Sequence, residues 1–168
     1  MKVDDALMFL REHQPMPSDE FLTEELLKKY DEVRAYFYVN IDKRCIPLFL
    51  NSFGFIDGYG VYQLVEDVIF LYDPVDVIPY LKEALSSDIY SIRYWCLQIA
   101  SSFPSEDLLL PVNNILMNDD FDLKYCALAF FEVLNSPLSI DLIEGFTFYE
   151  KNNELLEYAY KVLSSMSS

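Results

Sequence analysis

Apolar residues recur along this chain at helical spacing. In residues 88–103, DIYSIRYWCLQIASSF, Ile92, Cys96, Ile99 and Phe103 fall at i, i+4, i+7 and i+11, one stripe of an amphipathic helix. Asp88 stands where a first-turn cap belongs, and Arg93 and Tyr94 interrupt the apolar run at its start. The pattern returns 31 residues later in DDFDLKYCALAFFEVL, where Ile92 aligns with Leu123, Arg93 with Lys124, Tyr94 with Tyr125, Leu97 with Leu128 and Ile99 with Phe130. LLEYAYKVL is a weaker third copy with Leu156 and Tyr158 in the equivalent places. GVYQLVEDVIFLY fits the same frame upstream, with Gln63 where the tyrosines fall. Self-similarity at a period of about 31 to 33 residues is the mark of a helical-repeat array.

The remaining pattern fills in the frame. A short helix over 2–13 ends at the Gln14-Pro15-Met16-Pro17 turn. Ser18 reads as the cap of a second helix, with Phe21, Leu22, Leu26, Leu27 and Tyr30 on its apolar side and the pattern running on to Val39. Helices are then expected over 42–53, 60–72, 74–86, 89–102, 105–118, 121–135, 138–150 and 153–165, with the terminal SSMSS frayed. Pro74 suits a first helical turn, whereas Pro79 predicts a kink or a one-turn delay. The predicted fold is all-α: one domain over 1–168, an α-solenoid of antiparallel helix pairs. Residues 1–40 cap it and 42–165 form about four repeats.

Composition agrees with a packed helical protein. Apolar residues make up 52%, with 13 Tyr and 13 Phe, so the chain can bury a core despite a net charge of −16. Four glycines are too few for a sandwich of many short strands and turns. Cys45, Cys96 and Cys126 sit in apolar helical patterns and read as small buried hydrophobes in a reducing compartment. The acidic start MKVDDALMFLREHQ has no apolar core for a signal peptide, and no apolar run approaches a membrane span, so a soluble cytoplasmic protein is expected. The charge opposes nucleic acid and anionic membranes as partners and favours basic proteins, although it also serves solubility.

The sequence offers few groups for catalytic chemistry. His13 stands alone beside a proline turn, so neither a transition-metal site nor a Ser-His-Asp arrangement can be completed around it. GFIDGYG lacks the spacing and the Lys-Ser/Thr of a phosphate loop, and NDDFDLKY lacks the sixth-position glycine and twelfth-position acid of a calcium loop. Glu66-Asp67 and Asp119-Asp120 are sequence neighbours that diverge around a helix rather than face each other. No enzyme, metal or cofactor is therefore expected. What remains is a surface. If second helices line a concave face, Gln63, Tyr94, Tyr125 and Tyr158 stand in register on it, with Tyr62, Glu66, Asp67, Gln98 and Glu132 beside them. Tyrosines interspersed with carboxylates suit contact with a basic protein, and so does the GFIDGYG loop, with Asp57 and Tyr59. The alternative is that the tyrosines pack between repeats.

The period, with Asp88 before Arg93 and Asp119 or Asp120 before Lys124, resembles HEAT-like repeats over about residues 42–165. That resemblance implies polar ladders between neighbouring repeats. The run GFIDGYGVYQLVEDV, then DPVDVIPYL, then SIRYWCLQIA, is similar to HEAT-like immunity proteins of bacterial contact-dependent growth inhibition systems. It implies a tight, non-catalytic inhibitor of a cognate toxin domain, a basic ribonuclease being the fitting class, whose active-site cleft is covered by an acidic, tyrosine-rich face. A general HEAT-like scaffold or adaptor is the other reading. Enzymes on similar repeats include DNA glycosylases and bilin lyases; a glycosylase needs a basic groove, which −16 opposes.

Overall fold

The computed structural model describes residues 1–166, and the fraying expected at Ser167 and Ser168 lies outside them. The described residues form helices α1 (Val3–Glu12), α2 (Glu24–Val39), α3 (Cys45–Leu50), α4 (Val61–Ile69), α5 (Pro74–Ala84), α6 (Tyr90–Ala100), α7 (Leu109–Asn118), α8 (Phe121–Leu134), α9 (Leu138–Tyr149) and α10 (Asn153–Met166). Single 3-10 turns precede α4 (Gly58–Gly60) and α7 (Glu106–Leu108), and no strand occurs among the described residues. No helix among them is long and apolar enough to cross a membrane. The chain divides into two compact units, Met1–Cys96 and Leu97–Ser168, with the division inside α6.

Most boundaries fall close to where the apolar period ends, and the departures have local causes. The second helix starts at Glu24, not after Ser18. Thr23 caps it, its hydroxyl accepting the Leu26 N–H at 3.2 Å. Residues 18–22 form turns instead, because Asp19 is used elsewhere, and Phe21 is left exposed rather than packed. Pro79 causes no delay: α5 begins at Pro74 and runs through it. Pro79 and Val75, whose carbonyl loses the hydrogen bond that Pro79 cannot donate, are both exposed.

In the first unit α1 packs on α2 and α3, α2 on α4, and α3 on α5. Its core is aromatic. Tyr30, Phe37, Phe49, Phe53 and Tyr62 are fully buried and Trp95 nearly so. Phe49 meets Tyr30 edge-on at 6.2 Å and Phe37 at 5.8 Å, Tyr62 meets Tyr30 at 5.9 Å and Phe53 at 5.6 Å, and Phe53 stacks on Trp95 at 5.7 Å. The Tyr30 hydroxyl is satisfied by Ser52 Oγ at 2.6 Å, and burial pushes its pKa up. Cys45 and Cys96 are buried here; their sulfurs lie 3.3 Å from the Tyr72 hydroxyl and the Leu50 carbonyl, and burial raises both thiol pKa values, that of Cys45 to about 12.

In the second unit α7 packs on α8 and α9, and α10 on α8 and α9. Leu116, Leu123, Leu128, Phe130, Phe131, Ile143 and Val162 are fully buried within it. Asn135 ends α8 in the left-handed conformation (φ 47°) that asparagine tolerates better than most side chains. Asp120 caps α8 through the Leu123 N–H at 3.1 Å, while Lys124, expected in a ladder with Asp119 or Asp120, pairs with Glu150 at 2.7 Å. The other Glu150 oxygen accepts the N–H groups of Lys151 and Asn152, each at 2.8 Å, and so fixes the α9–α10 turn. Desolvation pushes the Glu150 carboxyl up, but the Lys124 hydrogen bond and those amides outweigh it and hold its pKa below the usual value. A carboxyl depressed in the folded state contributes stability above its unfolded pKa, near 4.3, and loses it as pH falls through the folded value. The thermal midpoint of the native chain should therefore exceed that of Glu150→Gln at pH 6, and the gap should close steadily below about pH 4. A gap unchanged down to pH 2 would contradict this role.

Candidate partner-binding surface

The most constrained backbone in the first unit is the loop 54–60, GFIDGYG. Four of its seven residues have positive φ: Ile56 (78°), Gly58 (58°), Tyr59 (51°) and Gly60 (88°). Glycine takes this conformation freely, but Ile56 is β-branched and Tyr59 bulky, so both are held against their preference. Below the loop lies Tyr62. A Cβ on Gly54 would come within 2.6 Å of the Tyr62 hydroxyl and of the Met16 and Pro17 carbonyls, and one on Gly58 would come within 2.8 Å of the Tyr62 ring. The closeness of Tyr62 thus excludes side chains at both positions. Tyr62, expected on the partner-facing surface, is fully buried as the floor of the loop, and burial pushes its phenol up to about 12.

Buried side chains hold the loop and its root in place. The Asp19 carboxylate accepts the Gly58 N–H at 2.9 Å and the Asp57 N–H at 3.4 Å, while its backbone N–H donates to the Phe55 carbonyl at 3.3 Å. The Tyr59 hydroxyl closes the loop by donating to the Asp19 carbonyl at 3.2 Å. From α6, Trp95 Nε1–H donates to the Ile56 carbonyl at 3.0 Å and Ser91 Oγ–H to the Phe53 carbonyl at 2.8 Å. With the backbone tied inward, the side chains project. Phe55, Ile56 and Tyr59 are 57%, 56% and 66% exposed, and Asp57 is exposed between them.

Aromatic contact extends from the loop along α6. The Phe55 ring lies 6.3 Å from Tyr90, which stacks on the half-buried Tyr94 at 6.3 Å; Tyr94 in turn meets Trp95 edge-on at 5.7 Å. The Arg93 guanidinium lies 5.9 Å from the Tyr90 ring centre and donates to the Ser87 carbonyl at 2.9 Å. On α4, Gln63 and Asp67 are exposed one turn apart, with Glu66 half-buried beside them. Burial, and then the charge of Asp67, raises the Glu66 pKa.

In the second unit Tyr125 and Tyr158 lie 4.6 Å apart, ring to ring, and the Tyr158 hydroxyl donates to Glu132 Oε2 at 2.9 Å. Tyr125 is exposed, while Glu132 and Tyr158 are half-buried. Gln98, on the part of α6 belonging to this unit, is half-buried with its amide nitrogen enclosed. Of the expected contact residues, then, Asp57, Tyr59, Gln63, Asp67 and Tyr125 are exposed; Glu66, Tyr94, Gln98, Glu132 and Tyr158 are half-buried; Tyr62 is withdrawn. Phe55, Ile56 and the half-buried Tyr90 complete the loop surface, and the buried Asp19 supports it from beneath. Asp19 reads in sequence as part of a helix start, and nothing local reveals that it reaches residues 57 and 58.

His13 is half-buried, stacked on Phe9 at 4.3 Å, with Nδ1 at 2.7 Å from the Phe9 carbonyl. Among the described residues no three His, Cys, Asp or Glu side chains converge to hold a metal ion. No family model matches the chain, and neither a curated protein nor a solved structure is significantly similar to it.

Proposed function

We propose that this chain is a non-catalytic inhibitor of the immunity type, binding a basic toxin domain of the ribonuclease class and covering its anion-binding cleft. The observation that carries the reading is the loop 54–60: an exposed aromatic and aliphatic surface, containing Asp57, whose backbone is fixed before any partner arrives. A preset contact surface loses little conformational freedom on binding, which favours tight complexes. The net charge of −16 supplies attraction to a basic cleft, and exposed Asp57 and Asp67 direct it. Glu66, half-buried and partly desolvated already, suits pairing with an arginine or lysine of the partner.

The helix contacts support a HEAT-like arrangement inside each unit. Odd-numbered helices touch odd-numbered ones (α1–α3–α5; α7–α9), even ones touch even ones (α2–α4; α8–α10), and α1–α2, α7–α8 and α9–α10 form pairs. Stacked helix pairs produce this pattern. The functional test is neutralisation of the toxin domain encoded beside this chain's gene. One equivalent of the chain should abolish its nuclease activity. Full activity under saturating chain, or a neighbouring gene that encodes no toxin, refutes the reading.

A further inference from the structure

We propose that the loop 54–60 is a preset apolar plug that seats Phe55, Ile56 and Tyr59 in an apolar socket on a basic protein, the socket rimmed by lysine or arginine that meets Asp57. This deepens the inhibitor reading and rests on it. Ile56 is the telling residue. Its φ of 78° disfavours a β-branched side chain, yet more than half of that side chain is in water, where it contributes little to the core. Glycine would fit the backbone better, so folding gives no reason for isoleucine, and strain retained at an exposed position points to use by a partner. The backbone beneath is fixed from two directions, by Asp19 through Gly58 and Asp57 and by Trp95 through the Ile56 carbonyl, so the three side chains are presented together. Asp19 acts as a positioning residue, because its carboxylate is turned to the loop backbone and is buried. Charge selects the occupant: an anionic lipid surface and a second copy of this chain, itself at −16, are both repelled. A basic protein is attracted.

The probe is the toxin domain encoded beside the gene, titrated against the full chain and its variants by calorimetry. Phe55→Ala and Ile56→Gly should each weaken binding by about 30-fold or more, as central anchors do. Ile56→Gly should do so with a melting temperature equal to or above that of the native chain, which separates lost contact from lost folding. Asp19→Ala should weaken binding likewise, and Asp19→Asn, which keeps an acceptor for the Gly58 N–H, should restore most of it. If the toxin binds and both loop variants bind as the native chain does, the plug is wrong and the inhibitor reading stands. If the toxin does not bind at all, both fail. A solution dimer dispersed by Phe55→Ala, or binding to phosphatidylserine vesicles lost in that variant, would assign the loop to self-association or to a membrane and overturn the proposal.

Discussion

Replacing Trp95 by alanine should destabilise the protein by about 3–5 kcal/mol, a large share of the 5–15 kcal/mol that holds a typical domain folded. Trp95 is only 4% exposed. It stacks on Phe53 at 5.7 Å with planes 22° apart, meets Tyr62 edge-on at 5.7 Å, and spends its one N–H on the Ile56 carbonyl. Truncation removes these contacts and the edge-on contact with Tyr94, opens a void against fully buried rings and leaves the Ile56 carbonyl without that donor. Urea unfolding followed by circular dichroism measures the loss. Trp95→Phe should keep most of the packing and lose the hydrogen bond, so it should fall between the two. A change below about 1 kcal/mol for Trp95→Ala would show that the aromatic cluster does not organise the first unit. The variant should also loosen the loop, so a partner that uses Ile56 should bind it worse than the stability loss alone explains.

The helices were legible because burial imposes a 3.6-residue period on apolar positions, as in Ile92, Cys96 and Ile99, all buried on α6. Boundaries failed where a single polar residue had a distant partner. Ser18 resembles a cap as well as Thr23 does, but Asp19 is engaged by backbone N–H groups almost forty positions away, and that removes residues 18–22 from the helix. Tyr62 was misplaced for a related reason. Its place beside Gln63 in the repeat register makes it read as surface, yet it lies at i, i+3 and i+7 with Val65 and Ile69, the buried face of α4. Its periodicity outweighs its polarity, since one hydroxyl costs less to enclose than a large ring costs to expose.

The exposure of the loop was also readable in part. Three glycines with Phe55, Ile56 and Tyr59 mark the GFIDGYG loop as exposed and unusual. The sequence does not show that non-glycine residues at 56 and 59 share the left-handed conformation. Propensity assigns φ > 0 to glycine by default, whereas here isoleucine and tyrosine adopt it in a loop bonded to Asp19 and Trp95. Lys124 repeats the lesson in the second unit, where its pairing with Glu150 spans 26 positions.

If the partner is a basic toxin domain, as proposed, binding should be steered by charge, and the effect on the association rate should be large. A chain at −16 approaching a basic cleft gains attraction over distances comparable with the Debye length, about 10 Å at 0.1 M salt and about 3 Å at 1 M. Across that range the association rate should fall by about tenfold or more, while dissociation, set by desolvated contacts around the loop, should change much less. Glu66→Gln and Asp67→Asn keep shape and remove charge; together they should lower the association rate and flatten its salt dependence without changing the melting temperature appreciably. The measurement that bears most directly on an acidic inhibitor of a basic toxin is stopped-flow association of the two proteins from 0.05 to 1 M salt. Charge steering gives a steep fall in association rate with a nearly constant dissociation rate. An association rate indifferent to salt would contradict it and leave the charge as a matter of solubility.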